Sequence, residues 1–259
     1  MWAEAFIEQW GVNAACDLDS IAPKLGLLIR EVDADAYEGV LRRIKGRPIG
    51  TIALSRSVTD PGRRRFTLAH ELGHYILPSH AESDSPCRPK DIERWDPSLQ
   101  AREVEANRFA AVALMPRQTI ADLFKREPSF RAVEEIAHRR GTSFTASAYR
   151  YVQLSGERVA VVWSEGGEAK WAKGAEELYR RVKLGPLDRE SLASQIFHGH
   201  DVPNDFDRVP ATAWFSEKNL KDGATILEHS TRLGNYGVIT LLWIDEQIER
   251  WRDYGEDEE

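Results

Sequence analysis

The chain has 259 residues, 42% of them hydrophobic and 30% charged, which is typical of a globular protein with one large domain or two to three small ones. Its formal net charge of −7 argues against a protein that coats nucleic acid, because neutralising phosphates requires clustered lysine and arginine. The two cysteines indicate no disulfide framework and favour a reducing cytoplasm, and the longest apolar runs are too short to span a membrane.

The amino-terminal part is predicted to form a short helix and three strands. Asp19 or Ser20 can cap the helix. The strands are expected at residues 27–31, 37–44 and 48–54, and Lys45-Gly46 between the last two is a hairpin signal.

The last of these strands directly precedes the most informative helix of the chain. An edge strand beside a metal can hold an extended substrate by adding it to the sheet. We therefore expect residues 49–54 to form an edge strand with this role.

The segment from Arg65 to Leu77 is predicted to form one helix that carries the pattern HExxH. His70 and His74 lie four residues apart, on the same face, which lets both imidazoles reach one zinc ion. Glu71 would lie beside that ion, where a carboxylate can act as the general base of peptide hydrolysis.

A catalytic zinc site needs a third protein ligand and an open position for water. A helix predicted from its cap Ser98 to Leu114, before Pro116, offers two carboxylates. Glu103 shares a face with small residues, which let two helices approach closely, whereas Glu105 points about 160° away from that face. Glu103 is the preferred third ligand, and Glu105 is the alternative.

Residues 127–156 carry two helical patterns around Gly141, in the arrangement of a helix-turn-helix. Reading DNA bases would require suitable side chains on the second helix, which offers only Thr145, Ser147 and Arg150. Direct nucleic-acid binding is therefore not favoured, and a structural or partner-docking role is preferred.

The pattern changes to short strands after about Gly156. Residues 159–163, 214–215 and 236–243 are rich in residues that favour strands, and glycine turns lie at 166–167 and 234–237. This part of the chain is predicted to form a separate α+β domain.

Two stretches around the candidate zinc ligands match a known family in order, spacing and flanks. They are Arg64-Arg65-Phe66-Thr67-Leu68-Ala69-His70-Glu71-Leu72-Gly73-His74 and Glu103-x-x-Ala106-Asn107-x-Phe109-Ala110-Ala111, the latter followed by Leu114-Met115-Pro116. Over roughly residues 48–116 the chain resembles the ImmA/IrrE family of zinc metallopeptidases.

The resemblance implies a gluzincin-like peptidase in which His70, His74 and Glu103 hold Zn²⁺ and Glu71 is the catalyst. Members of this family commonly cleave, or control the cleavage of, a helix-turn-helix repressor of stress-response or mobile-element genes. The resemblance also implies that the helical module follows the peptidase and that a sensor-like domain can occupy the carboxyl end.

The predicted architecture is α+β in three parts. Residues 1–126 would form the zinc peptidase domain, a small antiparallel sheet plus helices, residues 127–156 the helix-turn-helix-like module, and residues 157–259 a C-terminal α+β domain for sensing or partner binding. A second oxyanion donor is expected, and Tyr75 and His80 are candidates.

The predicted function is that of a zinc endopeptidase that cleaves an XRE-type repressor. The alternative is a regulatory module that captures a repressor without cleaving it, against which the intact Glu71 weighs. A purely structural zinc site is disfavoured because only three ligands are apparent and structural sites are normally four-coordinate.

Overall fold

The computed structural model of the chain describes residues 2–11, 18–44, 47–80, 101–218, 220–234, 237–246 and 248. The chain divides into two compact units, one within residues 1–125 and 132–150 and the other within 126–131 and 151–259. Helices and sheets together confirm the α+β class. The three-part division remains a prediction.

The first unit contains a three-stranded sheet and most of the helices. Its elements are α1 (Trp2–Trp10), α2 (Leu18–Lys24), β1 (Leu27–Val32), β2 (Gly39–Arg43), β3 (Gly50–Ser55), α3 (Pro61–Ile76) and α4 (Ala101–Leu114). They are followed by α5 (Phe130–Arg140) and α6 (Phe144–Leu154), each of which lies mostly in this unit.

The sheet of the first unit has the strand order β1-β3-β2. β2 pairs antiparallel with β3, so the predicted hairpin pairing is confirmed, although Lys45-Gly46 lies outside the described residues. β1 pairs parallel with the other side of β3, so the sheet is mixed and the prediction of an antiparallel sheet is wrong. The prediction that residues 49–54 form an edge strand is therefore wrong, because both sides of β3 already carry a strand and β2 is the edge next to it.

Helices α3 and α4 pack closely because small residues meet at their interface. A β carbon on Gly73 would lie 3.1 Å from Cδ1 of Phe109 and 3.3 Å from the carbonyl oxygen of Ala106. Ala106 and Ala110 are fully buried. Glycine and alanine at these positions let the two helix backbones approach, which brings side chains of α4 within reach of the HExxH residues on α3.

The turn between α5 and α6 is joined to α3 and α4. Gly141 adopts a positive φ of 57°, and a β carbon there would collide with the Arg65 guanidinium, which donates hydrogen bonds to the carbonyls of Arg140 and Gly141 at 2.8 and 3.0 Å. The Nε atoms of Arg140 and Arg150 donate to the carbonyls of Leu114 and Met115 at 2.8 and 3.0 Å. These two buried arginines satisfy carbonyls at the carboxyl end of α4.

The second unit is built on a six-stranded antiparallel sheet with the order β6-β5-β4-β9-β8-β7. Its elements are β4 (Val159–Glu165), β5 (Glu168–Gly174), β6 (Gly185–Pro186), α7 (Leu192–Phe197), β7 (Asp207–Pro210), β8 (Thr225–Leu233) and β9 (Gly237–Trp243). None of the helices described in either unit has the length and apolar character needed to cross a membrane.

The expected strand at residues 214–215 is wrong. Trp214 and Phe215 follow a single 3₁₀ turn and are each 1% exposed. The Trp214 indole donates to the carboxylate of Glu228 at 2.6 Å, and the backbone N–H of Ala193 donates to the same carboxylate at 2.7 Å. The two aromatic residues fill the core of this unit from a turn, so their apolar character does not indicate a strand.

Candidate metal centre

Helix α3 starts four residues before the predicted segment and presents the HExxH residues on a buried face. The side chain of Asp60 accepts a hydrogen bond from the backbone N–H of Arg63 at 2.7 Å, and Pro61 occupies the first turn. His70 and Glu71 are fully buried, and His74 is 8% exposed. A capped start and a buried face fix the orientation of these side chains.

The structure brings His70, His74 and Glu103 together. The two Nε2 atoms lie 3.0 Å apart, and Oε2 of Glu103 lies 3.2 Å from Nε2 of His70 and 3.4 Å from Nε2 of His74. Among the described residues these three side chains form a group able to hold a metal ion.

The spacing of the three atoms fits a tetrahedral zinc site. Zinc-to-ligand bonds of about 2.0–2.1 Å at tetrahedral angles separate neighbouring ligand atoms by about 3.3 Å. The observed separations of 3.0–3.4 Å match those edges. Two imidazoles and one carboxylate are also the donor set of a known class of catalytic zinc sites, in which the fourth position stays open.

The surrounding hydrogen bonds fix the tautomers of the two histidines, so that both Nε2 lone pairs face the carboxylate of Glu103. Nδ1 of His70 lies 2.8 Å from Oδ1 of Asn107, an acceptor, so this nitrogen carries the hydrogen and Nε2 keeps its lone pair. Nδ1 of His74 is likewise occupied, by Nδ1 of His80 at 2.8 Å. Two imidazole lone pairs and a carboxylate oxygen that converge in this way repel one another unless a cation lies between them.

The electrostatics of the cluster stabilise an ionised carboxylate. With no metal ion bound, protons on the Nε2 atoms take the place of that cation: burial acts to raise the pKa of Glu103, but hydrogen bonds from protonated His70 and His74 outweigh it and hold that pKa far below its usual range. Burial lowers the pKa of His74. Burial also disfavours protonation of His70, yet the hydrogen bond to Glu103 and the charges of Glu71 and Glu103 raise its pKa overall. The site therefore favours positive charge next to Glu103.

Glu105 is placed differently from Glu103. Its Oε2 lies 3.0 Å from Nε2 of His80 and accepts a hydrogen bond from the hydroxyl of Ser79 at 3.0 Å. The hydrogen bonds from His80 and Ser79 lower the pKa of Glu105. Glu103 is thus the carboxylate that lies with the two histidines, and Glu105 binds the turn that follows α3.

The Glu71 carboxylate lies against β2. A β carbon on Gly39 would stand 2.7 Å from Oε1 of Glu71 and 2.6 Å from Cγ2 of Thr67, one turn earlier on α3. At the other end of the strand, the Arg43 guanidinium donates to the carbonyl of His74 and stacks over the ring of Tyr75, 5.0 Å from its centroid. β2 therefore runs alongside the HExxH segment.

Both candidates for the second oxyanion donor form hydrogen bonds with other groups. The hydroxyl of Tyr75 donates to the carbonyl of Leu25 at 3.0 Å. Nδ1 of His80 contacts His74, and its Nε2 contacts Glu105. Sequence reasoning also did not assign a role to Asn107 or Gly39, and it considered His80 only as an oxyanion donor. Asn107 could have been found, because it lies four residues after Glu103 and so faces the same way on the helix.

The basic residues near the site have partners within the first unit. The Arg63 guanidinium forms an ion pair with Glu38, and that of Arg64 pairs with Asp19 at 2.9 Å and Glu31 at 3.1 Å. These arginines join the first turn of α3 to α2, β1 and the residue before β2, which is a structural use of the charges.

Comparison with known proteins adds a family match. The family model named Peptidase_M78, the IrrE N-terminal-like domain, matches residues 22–151. Two curated relatives are each described as "Radiation response metalloprotease IrrE". The protein from Deinococcus radiodurans is 36% identical over 103 residues, which are 39% of this chain and 31% of that protein. The protein from Deinococcus deserti is 37% identical over 158 residues, 60% of this chain and 54% of that protein. The chain thus spans about half the length of one relative and about a third of the other.

Proposed function

The chain belongs to the Peptidase_M78 family, whose model is the IrrE N-terminal-like domain, and from this membership we propose that it is a zinc-dependent endopeptidase of gluzincin type that cleaves a helix-turn-helix repressor. Cleavage would switch on the genes that the repressor silences. The relatives carry a radiation response in their printed names, which supports a role in stress.

One observation carries the proposal of a metallopeptidase. His70, His74 and Glu103 present three acceptor atoms 3.0–3.4 Å apart, with a further carboxylate, Glu71, one residue after the first histidine. In the described part of the chain the group has three members, which leaves a fourth tetrahedral position for water or substrate.

Each residue then has a defined task. A zinc ion bound there would supply Lewis-acid chemistry, lowering the pKa of a water molecule and polarising the scissile carbonyl. Glu71 would take the proton from the attacking water and deliver it to the departing amine. Asn107 holds the ring of His70 through its Nδ1, so that Nε2 faces the centre.

Strand β2 is the element that best fits substrate binding. Ser55 donates its backbone N–H to the carbonyl of Glu38, and Ile44 donates its own to the carbonyl of Ile49, so residues 38 and 44 face β3. Backbone groups alternate along an antiparallel strand, and those of Gly39 and Leu41 therefore face away from β3. No described strand pairs with that edge, and an extended peptide added there would lie beside Glu71.

The alternative function is a module that captures a repressor without cutting it. The retained Glu71 and its place against Gly39 support hydrolysis, because capture alone needs no general base. A structural zinc site would need a fourth protein ligand, and the described residues supply three.

The test is incubation of the zinc-loaded chain with helix-turn-helix repressors encoded beside its gene. Cleavage into two fragments that stops with a chelator and resumes with added zinc is expected. Binding without fragments, in the presence of zinc, would support capture instead. Equal cleavage with and without the chelator would refute a metal-dependent peptidase.

A further inference from the structure

A third histidine, His80, and a further carboxylate, Glu105, lie behind His74, on the side away from Glu103. Nδ1 of His74 is 2.8 Å from Nδ1 of His80, and Nε2 of His80 is 3.0 Å from Oε2 of Glu105. His80 is 1% exposed, whereas half of the Glu105 side chain is exposed. The three residues form a continuous line of hydrogen bonds from the centre to the surface.

The direction of each hydrogen bond follows from the end of this line. An ionised carboxylate only accepts, so Nε2 of His80 carries the hydrogen that Glu105 receives. A neutral imidazole has one donor and one acceptor, which makes Nδ1 of His80 an acceptor. Nδ1 of His74 must then be the donor, and its Nε2 keeps the lone pair that faces His70 and Glu103.

The turn that carries His80 is itself fixed to α4. Residues Pro78–His80 form one 3₁₀ turn directly after α3. The Ser79 hydroxyl donates to Glu105 at 3.0 Å, and the Arg102 guanidinium donates to the carbonyl of His80 at 3.3 Å. Helix α4 therefore contacts the centre directly through Glu103 and also through Asn107 and this turn, which hold the two histidines.

We propose that His80 is a positioning residue of the metal centre, which accepts the Nδ1 hydrogen of His74 and is itself oriented by Glu105. This inference rests on the proposed function, since it concerns how a zinc ligand is held. Partners of this kind fix the ring orientation and tautomer of a ligating histidine and raise its basicity. Glu105 thus serves the centre without touching it, which explains why a second glutamate lies two residues after Glu103.

Zinc affinity is the measurement that tests this role, determined by competition with a chromophoric chelator. His80→Ala should weaken zinc binding by about 10–100-fold, and Glu105→Ala should weaken it by a smaller factor in the same direction. Added imidazole should restore part of the affinity of His80→Ala, because it can accept from His74 in the space vacated. His138→Ala and Glu134→Gln, at exposed positions on α5, are matched controls expected to bind like the wild type.

A second readout reports on the ligand itself. In the cobalt-loaded protein, the visible absorption of His80→Ala should differ from that of the wild type and return toward it with imidazole. If His80→Ala fails to fold, the affinity of Glu105→Ala decides, because its side chain is half exposed.

The outcomes separate the two proposals. The positioning role alone would be overturned if the wild type binds zinc and folded His80→Ala binds it equally well. If His80→Ala does not fold, the same result for Glu105→Ala would overturn it. A wild type that binds no zinc would overturn the proposed function and this inference with it.

Discussion

Gly39 and Glu71 are in such close contact that no side chain fits between them: a β carbon on Gly39 would stand 2.7 Å from Oε1 of Glu71. The glycine lies at the start of the edge strand β2, and the glutamate is the proposed general base on α3. The glycine at this position of β2 therefore leaves room for the carboxylate of Glu71.

Replacing Gly39 with alanine should impair hydrolysis without removing zinc. The added methyl group must displace Glu71 or Thr67, and a general base moved by a few tenths of an ångström loses its alignment with the attacking water. We expect kcat to fall by about 10–100-fold, with zinc content unchanged, in assays of repressor cleavage and metal analysis. Gly156→Ala is the control, since a β carbon there meets nothing within 4 Å. Equal loss in both variants would contradict this account.

Glu71→Gln should retain the fold and zinc and lose cleavage. The amide keeps the shape of the side chain and cannot accept a proton, and general-base catalysis contributes about 10²–10⁴-fold. Fragment formation followed over time, with zinc measured on the same sample, checks this. A variant that cuts at the wild-type rate would remove Glu71 from the mechanism.

Glu103→Ala and Glu105→Ala should differ in their effect on zinc affinity. Glu103 lies within 3.2–3.4 Å of both Nε2 atoms, whereas Glu105 contacts the turn at residues 79–80. The first change should weaken binding by more than about 100-fold and the second by less, because it removes only an indirect partner. The reverse order would make Glu105 the ligand.

Substrate binding should protect alternate amides of β2 from hydrogen exchange. The N–H groups of Gly39 and Leu41 face away from β3, and an added strand would pair with them. The amides of Val40 and Arg42 already face β3 and should change little. Exchange measured residue by residue by NMR, on Glu71→Gln with bound peptide, tests this. Uniform or absent protection would argue against strand addition.

Arg150→Leu should destabilise the first unit. Its Nε donates to the carbonyl of Met115, and burial lowers the pKa of this guanidinium to about 10. Loss of the donor leaves a buried carbonyl unsatisfied, at a cost of about 1–3 kcal/mol in unfolding free energy. Urea denaturation measures this, with the exposed Arg131→Leu as the control. An unchanged midpoint would contradict a stabilising role for this hydrogen bond.

Local patterns predicted the elements that carry the centre. The four-residue spacing of His70 and His74 fixes one face of a helix, and the small residues around Ala106 favour close helix packing. The described part of α4 begins at Ala101, and Ser98, its expected cap, lies outside the described residues. The same helical geometry favours Glu103 over Glu105 as the third ligand, and the structure places Glu103 beside the two histidines.

Features that depend on chain reversal or on sheet order could not be predicted in this way. The parallel pairing of β1 with β3 makes β3 central, and no periodicity within residues 49–54 carries that information. His80 returns to His74 only because a 3₁₀ turn follows α3 at once. The contact of Gly39 with Glu71 could not be predicted either, since the two residues are 32 positions apart in the chain and lie on different elements.

The most direct test of the central claim is a crystal structure of the zinc-loaded chain, with anomalous diffraction recorded at the zinc edge. The account predicts one ion about 2.0–2.2 Å from Nε2 of His70, Nε2 of His74 and the carboxylate of Glu103, with no protein atom in the fourth position. An ion held by a fourth side chain, or no ion among these three residues, would contradict it.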